Sequence, residues 1–179
     1  MRLSLPATTS LSESLLNMPA IARIRRNHGL EHATLHLLSQ HHPKRGLAGH
    51  SDAGGFWILG DVSIDELQEA IEAALARLRN GERQLAVHPN CGTNLVTAGI
   101  LAGVAAGVAM FGGRSFRDKV ERLPLAASLA TVALIVAQPL GSLLQEHVTT
   151  SGEPGNLRVV EIVASRRGRL RAYRVVTKE

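Results

Sequence analysis

The chain has 179 residues, a formal charge of +5, and only 3% aromatic residues. That length sustains one modest core without staples, and a single cysteine excludes an internal disulfide, which leaves Cys91 to a reducing compartment or to metal ligation. So few aromatic rings supply no stacking platform for single strands, and the basic residues are scattered, so nucleic acid is not an expected partner despite the positive charge.

Residues 1–19 read as a flexible or surface-lying arm, Ser/Thr-rich at first, with a short helix around Leu11–Met18. No charged n-region, apolar h-region and cleavage site occur in order, so a cleaved signal peptide is not expected. From Ala20 to about His41 the pattern turns helical, with Ile21, Ile24, Leu30, Leu35 and Leu38 on one broad side, and Pro43 ends it. Gly46–Asp61 predicts a loop with one or two short strands, turned at Asp52-Ala53-Gly54-Gly55. Ser63-Ile64-Asp65-Glu66 is a capping-box start; Leu67, Ile71, Leu75 and Leu78 follow at helical spacing, and Asn80-Gly81 closes the element. Leu85-Ala86-Val87 is expected as a short extended segment leading to His88.

Asn94–Gly113 and Leu123–Gln145 contain no charged residue. At roughly 1.5 Å per residue, about 20 apolar residues span the ~30 Å hydrocarbon core, so both runs are long enough to cross a membrane as a hairpin. Gly99, Gly103 and Gly107 recur every four residues and are the expected packing face against the second helix, which Pro139 would kink or end early. Arg114, Arg117, Lys119 and Arg122 draw the linker towards the cytoplasm, but sixteen of the twenty Lys and Arg lie outside it, so the expectation places both termini inside. Leu157–Ala164 and Leu170–Val176 then read as a hairpin turned near Arg167-Gly168 with a solvated basic face. The predicted architecture is α+β: a small mixed domain from residues 20–93, a two-helix transmembrane hairpin inserted at 94–145, and a β-hairpin at 146–179 that completes the domain.

His28-Gly29-Leu30-Glu31-His32 carries the chemistry. Residues four apart on a helix share a face, so His28 and His32 can address one ion, with Glu31 alongside to hold or deprotonate a water. His88-Pro89-Asn90-Cys91 adds a further imidazole and a thiol, the nitrogen and sulfur set that Zn2+ favours. His28, His32, His88 and Cys91 are therefore the candidate metal ligands and Glu31 the candidate catalytic base. His36 reads as a supporting or surface histidine, His41, His42 and His147 as solvated, and His50 as a reserve ligand. Taken alone, the second motif could be only a turn capping a helix.

The ordered pair of motifs resembles bacterial YqhQ-type membrane proteins, which carry His-Gly-Ala-Glu-His and then His-Pro-Arg-Cys-Gly-Thr before a membrane helix. The match falls at His28, Gly29, Glu31 and His32, then at His88, Pro89, Cys91, Gly92 and Thr93; Leu30 and Asn90 depart from it. The resemblance implies a metal-dependent membrane enzyme of the bacterial inner membrane. The leading expectation is a zinc-dependent, peptidase-like hydrolase with its site at the membrane surface and its α+β domain in the cytoplasm. Its expected partners are membrane lipid, a membrane or juxtamembrane protein substrate, and a second copy of the chain. If all four ligands bind, the shell is closed and the zinc structural, which makes the chain a non-catalytic membrane adaptor instead. A membrane domain without metal is the third reading.

Overall fold

The computed structural model describes residues 11–168 and 170–179; the arm expected over residues 1–19 lies outside them as far as residue 10. The fold is mixed helix and sheet. Packing divides it into two units, one built from the chain up to Ala86 together with Thr150–Glu179, the other from Val87–Thr149.

The first unit starts with a short helix α1 (Leu11–Leu16) and a long helix α2 (Pro19–His41) that has proline in its first turn, where a missing amide costs nothing. The hairpin β1 (Ala48–Asp52) and β2 (Gly55–Leu59) follows, its turn tied by the Gly54 amide donating to Asp52 Oδ1 at 2.7 Å. Helix α3 (Ile64–Arg79) has its capping box made in both directions: the Glu66 amide donates to Ser63 Oγ at 3.1 Å and the Ser63 amide to Glu66 Oε2 at 2.7 Å. A 3-10 turn at Arg83–Ala86 stands where an extended segment was expected over Leu85–Val87, and its two apolar side chains, Leu85 and Ala86, are buried. The unit closes with β3 (Arg158–Arg167) and β4 (Leu170–Lys178).

The sheet is antiparallel in the order β1-β2-β4-β3, so the last strand in sequence lies between β2 and β3 and joins the two hairpins. Strand alternation sends Phe56, Ile58, Tyr173 and Val175 into one core with Leu30, Leu35 and Leu38 of α2 and Leu67, Ile71 and Leu78 of α3. Trp57 and Arg174, paired across β2 and β4, belong to the opposite face.

The second unit is a helical hairpin, α4 (Gly92–Met110) and α5 (Phe116–Leu144), followed by a π-helical turn at Gln145–Thr149. Both helices are long and apolar enough to cross a membrane. The packing face differs from the expected one. Gly99, Gly103 and Gly107 are exposed, and a Cβ at any of them would meet nothing within 4 Å. The covered stripes are Thr97, Leu101, Ala105 and Ala109 on α4 and Ala126, Ala130, Ala133, Ala137 and Gly141 on α5. Two residues advance an α-helix by roughly 200°, so the stripe through Leu101 and Ala105 puts Gly103 on the far side. Proline does not shorten the helix either: α5 runs through both Pro124 and Pro139. Ser115 and Asp118 form a second capping box at its start, and Arg122 donates to the Phe111 carbonyl at 2.7 Å, satisfying the end of α4.

Candidate metal centre

In the first unit, α2 brings His28 and His32 together as their four-residue spacing requires. Their ring centroids lie 4.3 Å apart at an interplanar angle of 62°, and a ligand nitrogen of one lies within 4.8 Å of a ligand nitrogen of the other. His32 is buried, and its Nδ1 lies 2.7 Å from the Ala86 carbonyl. A carbonyl can only accept, so Nδ1 carries the proton and Nε2 the lone pair, the tautomer that an outer hydrogen bond imposes on a metal-binding histidine. The 3-10 turn is what delivers that carbonyl, and neither its place nor its role has a side-chain signature in the sequence.

Glu31 points elsewhere on the same helix, towards β1. Its carboxylate accepts a hydrogen bond from Ser51 Oγ and occupies the space beside Gly49, where a Cβ would lie 2.5 Å from Oε1. Glu31 is 3% exposed; burial raises its carboxyl above the ordinary range, while the Ser51 hydrogen bond and the nearby His28 pull it back down. Gly49 and Ser51 are therefore site residues that motif reading misses. Alternation along β1 turns His50, between them, to the opposite face, opposite Trp57, which removes it as a reserve ligand beside Glu31. His41 is exposed, with Nδ1 2.8 Å from the Leu37 carbonyl, and His42 pairs with Glu66 at 2.8 Å. His36 is half-buried on α2 and His147 exposed in the π-helical turn.

In the second unit, Cys91 is buried at the N-cap of α4, where its Sγ accepts from the Thr93 amide at 3.4 Å. His88 lies in the preceding turn; its Nδ1 accepts from the Asn90 amide at 3.2 Å and its own amide donates to Gln145 Oε1 at 2.9 Å. Gln145 is fully buried and also donates to Asn94 Oδ1 at 2.7 Å, so one polar side chain ties the motif segment and both helices together. The first unit thus offers two imidazoles side by side, from His28 and His32, and the second a buried thiol, from Cys91, all donor types that bind a metal ion.

The family model that matches this chain spans residues 23–162 and is described as a domain of unknown function, DUF6391. The chain belongs to the DUF6391 family. Both histidine motifs and both apolar helices fall inside the matched segment, whereas β4 falls beyond it. Over 149 residues the chain is 37% identical to an uncharacterized protein of Picosynechococcus sp., an alignment that covers 78% of this chain and 71% of the relative. No solved structure matches. The YqhQ-type likeness covers the two motifs and the apolar run that follows them, while the family match that takes in most of the chain is to DUF6391.

Proposed function

We propose that this DUF6391 protein is an integral membrane, metal-dependent hydrolase in which His28, His32 and Cys91 hold one zinc ion and Glu31 serves as the base. The observation that carries the metal is the pairing of His28 with a buried His32 whose Nδ1 is committed to the Ala86 carbonyl. The donor set fits zinc: neutral imidazole and thiolate are its preferred ligands, and three protein ligands are what a catalytic site keeps. When bound, zinc would supply Lewis acidity and lower the pKa of a water ligand towards neutrality. The chain's own contribution is to fix the His32 tautomer and to hold the Glu31 carboxylate through Ser51. A peptide bond in a membrane or juxtamembrane protein is the proposed substrate, by analogy with the inverted His-x-x-Glu-His order.

Insertion of α4 and α5 in a membrane is supported by their exposure. Only 11% of each apolar window is buried, while Leu95, Val96, Ile100 and Val104 are each at least 60% exposed. A soluble core helix would cover such side chains.

The engagement of Glu31 with Ser51 and Gly49 favours a second reading, in which Glu31 braces α2 against β1 and the metal is structural in a membrane adaptor. Elemental analysis of detergent-purified protein decides first. About one zinc per chain in the wild type, lost in both His32→Ala and Cys91→Ala, is the result expected for a single centre. Metal retained in Cys91→Ala would reduce Cys91 to a helix cap. Glu31→Gln separates the two readings: full metal content with lost hydrolysis supports the enzyme, and full metal content with a large loss of stability supports the brace.

A further inference from the structure

The outward face of the sheet carries a charged aromatic patch that the metal centre does not use. Trp57, Arg174 and Val163 form one cross-strand row, with His50 opposite Trp57 on β1. The Arg167 guanidinium lies 4.8 Å from the Trp57 ring centroid and that of Arg174 lies 5.6 Å from it. Asp52 neutralises Arg174 at 2.7 Å and holds its own carboxyl below the ordinary range through that contact. Arg167 has no carboxylate partner among the described residues, and neither have Arg158 and Lys178, which pair with each other across the same two strands. Residues 158–179 contain seven basic and two acidic side chains, so the excess charge is not answered locally. Leu170, 56% exposed, and Val163, 41% exposed, add apolar surface beside it.

We propose that this sheet face binds anionic lipid headgroups, Arg167 and its unpaired neighbours contacting phosphates while the Trp57 indole settles at interfacial depth. Guanidinium matches phosphate oxygens in pairs, an indole has an apolar body with one donor, and basic residues are drawn to anionic lipid within about a Debye length, ~8 Å in physiological salt. Connectivity selects lipid among polyanions. β3 begins at Arg158, fourteen residues beyond the last residue of α5, Leu144, a tether of at most about 50 Å at ~3.4 Å per residue. A bilayer around α5 is thus the most concentrated array of phosphates within reach. This inference rests on α4 and α5 crossing a membrane.

Trp57 is the chain's single tryptophan, so its fluorescence reports on this face in the full-length protein. The full chain is reconstituted in nanodiscs of phosphatidylcholine, with and without phosphatidylglycerol. Phosphatidylglycerol should shift the emission to shorter wavelength, and its brominated form should quench it. Both effects should disappear in about 1 M salt, where the screening length shrinks to about 3 Å. The double variant Arg167→Gln/Lys178→Gln, altered at two exposed positions of this face, should lose the response while keeping the wild-type circular dichroism and melting temperature. Identical emission in both kinds of disc overturns the proposal. So does a Trp57 that ignores phosphatidylglycerol but is quenched by added RNA duplex, an outcome that assigns the patch to nucleic acid. If the chain co-elutes with discs yet Trp57 does not respond, only this inference falls. If it co-elutes with neither lipid, the membrane reading falls and takes this one with it.

Discussion

Gly29 stands inside the first histidine motif because α2 passes the chain at Ser151 too closely for a side chain. A Cβ at Gly29 would overlap the Ser151 carbonyl oxygen and lie 3.3 Å from the Ala86 Cβ, and the Ser151 amide donates to the Arg25 carbonyl at 2.9 Å. The nearest obstacle is the Ser151 backbone, so it cannot swing away. Gly29→Ala should therefore cost about 1–3 kcal/mol, read as a lower midpoint in denaturant titration with an unchanged slope. At this scale the spacing of His28 and His32 was legible in the sequence because four residues on one helix is local geometry. Their supports were not. Ser51 lies 20 positions from Glu31, and Ala86 lies 54 from His32 and contributes only a carbonyl, which every residue type possesses. Tertiary packing alone brings them to the site.

Helix α3 shows how far local chemistry goes towards defining an element. Ser63 and Glu66 make the capping box that their spacing predicts, and hydrogen bonding from the Ser63 amide depresses the Glu66 carboxyl from 4.5 to about 2. A depressed carboxyl stabilises the fold above its unfolded pKa and stops doing so as the pH falls through the folded one. Thermal melts should accordingly show this contribution intact above pH 4.5 and lost progressively towards pH 2. Glu66→Gln should flatten the dependence in that window, and Ser63→Ala should cost about 1 kcal/mol at neutral pH. The hairpin helices were legible as elements but not in how they pair. Glycine and alanine stripes both permit close approach, and the choice between them is made by α5, whose own small residues meet the alanine side of α4. The glycine that pairing needs is Gly141, where a Cβ would lie 3.1 Å from the Asn94 Cα and overlap its side-chain oxygen. Gly141→Ala should lower the melting temperature in detergent. Gly103→Ala, with nothing within 4 Å, should leave it unchanged or raise it, since alanine is favoured over glycine in a helix by up to about 1 kcal/mol.

The whole molecule is governed by a sheet whose middle is made last. β4 supplies Tyr173 and Val175 to the core and pairs with β2 along Gly55–Leu59, so the first unit draws on two stretches of chain separated by the hairpin. A chain stopped before Arg158 should give no cooperative thermal transition, because Phe56 and Ile58 would keep an unpaired strand edge and lose their apolar neighbours. Alternation, capping and apolar run length made each piece readable one by one. The insertion of β4 between β2 and β3 was not readable, because strand order is set by which apolar faces meet in three dimensions. That order also imposes a schedule on biosynthesis. At roughly 5–20 residues per second, the interval between translating Leu59 and Leu170 is on the order of ten seconds. During it the two apolar helices leave the ribosome while the edge of β2 stays open. Conditions that delay translation beyond α5 should therefore expose the unfinished half to proteases and chaperones for longer.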